Sequence, residues 1–202
     1  VDQDEWDVPN EHPFPITERE LRDILSSLRY ERSGFLGLGG SEEAVFNSEQ
    51  VNLLSKQVLR GLQTARDRED VVFALFGEKD DVIGSKFLVT SGRIFIRDGK
   101  LNIIFGKIDH DYQVDLDRED HMQYVWRLQR GERGLRSGEL STEYVDLNPV
   151  EPGFRKQEGD LEGATVMAPL GKAYGKRDDW LVFDLAPRTE QDFALLRAQV
   201  EN

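Results

Sequence analysis

The sequence predicts an α+β domain, with two amino-terminal helices and one carboxy-terminal helix packed on a twisted antiparallel sheet of about five to seven strands. Three observations predict it. Apolar residues recur at helical spacing over 21–28 and again over 51–65. Strand-forming residues crowd 71–108 around an Asp98-Gly99 pair, and a short apolar strand followed by a capped helical pattern closes the chain. At 202 residues, the chain is long enough to bury about 70% of its unfolded surface without disulfides or metals.

Residues 1–15, "VDQDEWDVPNEHPFP", hold five carboxylates, three prolines and no Lys or Arg. Proline excludes a helix interior or a central strand there, so the segment reads as an extended acidic leader or tether, with a single domain over 16–202. The first helix begins at Thr17, which caps while Glu20 reaches back, and Ile16 and Leu21 occupy hydrophobic-staple positions. Leu21, Ile24, Leu25 and Leu28 then share one face. "SGFLGLGG" (33–40) is a glycine-rich loop. It lacks the Gly-Lys-Ser/Thr ending of a phosphate loop and follows a helix, where a phosphate loop follows a strand. A second helix starts at Asn47 or Ser48 and carries Val51, Leu54, Val58, Leu62 and Ala65 inward, ending near Asp67.

The sheet follows in "VVFALF" (71–76), "VIGSKFLVT" (82–90) and "SGRIFIRDGKLNIIFGKI" (91–108). Asp98-Gly99 suits a two-residue type I′ turn, setting Arg97 opposite Lys100, Ile96 opposite Leu101 and Ile94 opposite Ile103. That register gathers Ile94, Ile96, Leu101, Ile103 and Phe105 on one face, to lie beneath the helices. The other face carries Arg93, Phe95, Arg97, Lys100, Asn102 and Ile104 and is expected to be partly wet. Beyond Ile108, Tyr124, Trp126 and Leu128 alternate as in a strand. "TEYVDLNP", "GATVMAP" and "DWLVFDL" are further strands, and Thr189 caps a last helix burying Phe193, Leu196 and Val200.

The 39 acidic and 26 basic residues give a formal charge of -13, which repels phosphate backbones, so no nucleic-acid partner is expected. No apolar run reaches the roughly 18–20 residues that span a bilayer as a helix. Cysteine is absent, removing disulfides, thiolate metal sites and thiol nucleophiles. The acidic stretch "DHDYQVDLDREDH" (109–121) holds two of the three histidines, but Val114 stands where a calcium loop needs glycine and no zinc-type histidine pair is present. No metal and no cofactor is expected. His12 lies in the proline-rich leader and His110 and His121 in the acidic loop, the chain has no Gly-x-Ser-x-Gly elbow, and no catalytic residue is assigned.

One segment could hold a ligand. In "GKAYGKRDDW", Lys172, Lys176 and Arg177 gather beside Tyr174 and Trp180, and such a cluster suits an anionic or carbohydrate ligand through charge and ring stacking. The plainer reading is a polar connection entering a strand, with Trp180 in the core.

Over "FPITERELRDILSSLRYE", "FNSEQVNLLSKQVLRGLQTARDREDVVFALF" and "RDDWLVFDL" the chain resembles an uncharacterised group of bacterial exported lipoproteins. The resemblance covers the first half of the chain and one late strand, and its motifs are structural. It implies a periplasmic-side envelope location and a lipid-anchored amino terminus upstream of Val1, with no established activity and no functional residue carried over. A start at Val1 rather than methionine fits a trimmed or processed chain, and the acidic leader fits a spacer from a bilayer surface. The expected role is a noncatalytic envelope binding or assembly module whose partner is another envelope protein. The alternatives are a small-molecule-binding protein or enzyme using 172–180, and a cytoplasmic location.

Overall fold

The computed structural model describes residues 9–32, 41–81, 84–111, 164–174 and 177–200. Thr17 accepts a hydrogen bond from Glu20 N, and the Glu20 carboxylate reaches back to Thr17 N at 3.0 Å, so a complete capping box opens α1 (Glu18–Ser27). Asn47 and Gln50 form the equivalent box at the start of α2 (Ser48–Thr64), which ends three residues before the Asp67 expected from the sequence. Thr189 and Asp192 repeat the exchange before α3 (Glu190–Val200). Donation from Thr189 N and then from its hydroxyl holds the Asp192 carboxyl below its ordinary pKa.

The fold is α+β, with the helices packed on an antiparallel sheet. The main sheet has five strands in the order β3 (Val71–Asp81), β4 (Gly84–Arg97), β5 (Lys100–Asp111), β8 (Arg177–Asp184), β7 (Lys172–Tyr174). The two stretches 82–90 and 91–97 join into the one long strand β4. Asp98 and Gly99 turn the chain with φ of 54° and 64°, both positive as a type I′ turn requires, and the pairs Arg97–Lys100, Ile96–Leu101 and Ile94–Ile103 form as the turn dictates. At Gly92 the neighbouring strand comes so close that a Cβ would sit 2.3 Å from the Ile104 carbonyl oxygen, so only glycine fits.

A second, three-stranded sheet, β2 (Ser41–Ala44), β1 (Arg29–Arg32), β6 (Ala164–Met167), was not expected in its first two strands. Their sequences, RYER and SEEA, are short, polar and without an apolar alternation, so only pairing reveals them. Of the expected later strands, GATVMAP holds β6 and DWLVFDL forms most of β8. The glycine-rich stretch 33–40, the acidic loop beyond Asp111 and the candidate strands over 124–128 and 142–149 lie outside the described residues.

One apolar cluster unites the inward faces of α1 and α2 with Ile94, Ile96, Leu101, Ile103, Phe105, Leu181 and Phe183, and Phe193 of α3 packs at its margin. The opposite sheet face departs from expectation. Phe95, Ile104, Trp180 and Val182 form a second buried cluster there, and Asn102 is buried beside them; of the six residues expected on this face, Arg93, Arg97 and Lys100 keep partial exposure. Strand β8 contributes large apolar side chains to both faces.

The leader also enters the fold earlier than the boundary at residue 16. Phe14 is 4% exposed and meets Phe193 edge-on at 5.6 Å. Glu11 N donates to the Ile96 carbonyl, Ile96 N donates to His12 Nε2 at 3.1 Å, and Gly99 N donates to the Glu11 carboxylate. Asn10 Nδ2 donates to the Glu69 carbonyl and to Asp70, whose carboxylate also takes Arg93 at 3.0 Å. The prolines that forbid a helix leave this segment extended, and an extended backbone has donors and acceptors available to the end of a sheet.

Candidate interaction surface

The five residues of the 172–180 segment part company in the structure. Trp180 is 0% exposed: its indole N–H donates to Asn102 Oδ1 at 3.0 Å, Phe95 meets its ring edge-on at 5.8 Å, and Tyr174 stacks on it at 4.0 Å with 18° between the planes. The stacking that a sugar would need from this ring is already supplied by Tyr174, so Trp180 serves the core. Lys172 stands exposed on β7, Arg177 pairs in register with Tyr174, and Lys176 lies outside the described residues. The plainer of the two sequence readings therefore describes Trp180.

The acidic segment behaves similarly at its start. Asp109, in a left-handed conformation with φ of 46°, accepts from the Tyr30 hydroxyl at 2.6 Å, and its N–H donates to Thr90 Oγ1 at 3.1 Å. Glu43 lies 3.2 Å from the same Tyr30 hydroxyl. These contacts tie the small sheet to the large one. Among the described residues no group of three or more His, Asp or Glu side chains is placed to hold a metal ion.

A cleft of about 420 Å³ opens at the Asp98-Gly99 end of the sheet, walled by Phe14, Leu185 and Phe193 and rimmed by Asp98, Lys100 and Arg188. Its two cations are engaged: Lys100 lies 3.6 Å from Asp184, and Arg188 Nη2 donates to both Glu20 oxygens at 2.6 Å. Burial alone would push the Glu20 pKa up, but the hydrogen bonds from Arg188 and from Thr17 outweigh it and hold the carboxyl below its ordinary value. The cleft thus presents apolar walls and a charge-balanced rim, which gives it no strong pull on an anion.

The two edges of the main sheet differ sharply. At one edge β7 is three residues long, carries an exposed Lys172 and breaks register between Ala173 and Tyr174. Short length, lysine and a bulge are the devices by which proteins protect sheet edges. At the other edge β3 runs eleven residues, pairs with β4 in unbroken register, and no described strand lies beyond it. Its first six residues are all apolar. Val72 is 39% and Phe76 59% exposed, both on the face away from the helices. Sequence reasoning found the strand and missed this role, because periodicity reports which residues alternate and is silent about which strand ends a sheet. No family model, curated protein or solved structure matches this chain.

Proposed function

We propose that this chain is a noncatalytic binding or assembly module on the periplasmic side of the bacterial envelope, held to a membrane by a lipid attached upstream of Val1, with another envelope protein as its partner. The observation that supports the binding role is the long apolar strand β3, beyond which no described strand lies and on which Val72 is exposed. A strand added there completes backbone hydrogen bonds and removes apolar surface from water in one step. The acidic, proline-broken leader and the likeness to exported lipoproteins support the location. The small-ligand reading at 172–180 is weakened by the burial of Trp180.

Expression of the complete gene in a bacterial host tests both parts. A lipid anchor sends the protein into the detergent phase on Triton X-114 partition and to the membrane fraction, and aqueous partition refutes it. A photo-crosslinking residue at position 72 yields adducts with envelope protein in living cells, whereas the same group at exposed Lys56 on α2 does not. Equal yields at the two positions refute the edge as the binding surface.

A further inference from the structure

We propose that His12 is an acid-sensitive clasp: a proton gained by its ring releases residues 10–12 from the end of the main sheet, so that this segment is fastened at neutral pH and loosened in acid. The inference concerns the body of the fold and does not depend on which partner the chain meets.

The clasp stands where β3 stops short. Pairing of β3 with β4 begins at Val71 and Ile94, so Ile96 lies two residues beyond the last β3 partner while it remains paired with Leu101 of β5. Residues 11 and 12 serve Ile96 instead. Glu11 N donates to the Ile96 carbonyl at 2.9 Å, and Ile96 N donates to His12 Nε2 at 3.1 Å. An imidazole nitrogen thus occupies the place where a neighbouring strand offers a carbonyl oxygen, and a proton can take away the acceptor character of the nitrogen near physiological pH.

The direction of the effect follows from which atom donates. A peptide N–H only donates, so Nε2 holds a lone pair and the ring hydrogen of neutral His12 sits on Nδ1. A proton on Nε2 sets N–H against N–H and brings a positive charge into a site where His12 is 9% exposed. Imidazole in water binds that proton below about pH 6.5. The loosened segment can take it and the fastened one cannot while the bond to Ile96 N lasts. The contact therefore stabilises fully above that pH and weakens as pH falls beneath it. Among the described residues, the charged groups on the elements around the clasp are Glu11 beside it, Asp67, Glu69 and Asp70 ahead of β3, Arg93 and Arg97 on β4, and Asp98 in the turn. The Glu11 carboxylate accepts from Gly99 N at 2.9 Å, and Asp70 is paired with Arg93 at 3.0 Å. These carboxylates soften the cost of an imidazolium charge, but none of them returns an acceptor to Ile96 N at the position that Nε2 gives up.

Nuclear magnetic resonance of the 202-residue chain tests the proposal. At about pH 7.5 the His12 ring shows the Nδ1–H tautomer, and between about pH 7.5 and about pH 5.5 the Ile96 amide resonance moves with the titration of that ring. Over the same interval the Glu11 and Ile96 amides lose protection from exchange, corrected for the intrinsic pH dependence of exchange, by up to about tenfold per pH unit, the limit for one proton. His12→Gln keeps an oxygen acceptor at similar reach and binds no proton, so its protection lacks this pH dependence. The difference between parent and variant also cancels what the carboxylates, His110 and His121 contribute. An Nε2–H tautomer at the higher pH overturns the clasp, as does protection that stays constant over the interval, or a His12→Gln chain that follows the pH dependence of the parent. The first two are read on the parent alone, so the test survives a variant that fails to fold.

Discussion

At the scale of single residues, Asn102 joins two strands through one buried amide: Nδ2 donates to the Lys100 carbonyl and Oδ1 receives the Trp180 indole, each at 3.0 Å. Asn102→Ala leaves that indole N–H enclosed without its acceptor, a loss of about 1–3 kcal/mol that urea unfolding will read as a lower midpoint with unchanged slope. Combining it with Trp180→Phe costs less than the sum of the two, since the second change removes the donor that the first orphans. Glu20 makes a pH-dependent contribution. Its pKa is lower in the folded chain than in the unfolded one, so the stabilisation from Arg188 and Thr17 is complete above the unfolded value and disappears as pH falls through the folded value. Glu20→Gln is therefore less stable than the parent at neutral pH, by about 1–2 kcal/mol for hydrogen bonds to a charged, partly buried group. The difference closes in acid, which thermal melts at pH 7 and pH 3 will show.

At the scale of elements, two glycines separate two kinds of backbone constraint. Gly99→Ala meets no atom within 4 Å, so its cost is that of a positive φ alone, about 1–2 kcal/mol. Gly92→Ala places a methyl against the Ile104 carbonyl oxygen, where β4 and β5 shift register, and its loss exceeds that of Gly99→Ala in the same unfolding measurement. The elements legible in the sequence are those whose signals are local. Thr17 with Glu20, Asn47 with Gln50 and the Asp98-Gly99 turn each complete their own hydrogen bonds within four residues. Strands β1 and β2 have no such signal, because β1, which pairs with β2, takes its other partner, β6, from residues 164–167. The buried second face was legible in one place that composition obscures. In "WLVF" both alternating sets are apolar, which is how a strand enclosed on both sides reads. Basic neighbours made Trp180 look like a ligand platform, whereas its position in that run assigned it to the core. Lys176 and Arg177 could not be ranked from sequence, since a charge beside an aromatic residue has the same spelling in a binding site and in a turn.

At the scale of the whole molecule, residues 10–16 and the first helix are parts of one packed body. Phe14 fills the space between the sheet and α3, and Phe14→Ala costs about 3 kcal/mol or more, as other buried phenylalanines do. Calorimetry will register it as a lower melting temperature. Residues 10–14, expected to belong to a tether, pack instead, and Asn10 is secured beside the start of β3 by contacts with Asp67, Glu69 and Asp70. Charge, patterning and length were enough to set the class of this fold; where chain ends and sheet edges come to rest depends on contacts between distant residues.

The guarded margin of the main sheet has a consequence for crowded solutions. A border three residues long, bulged and set with a lysine gives a neighbouring molecule little to grip on that side.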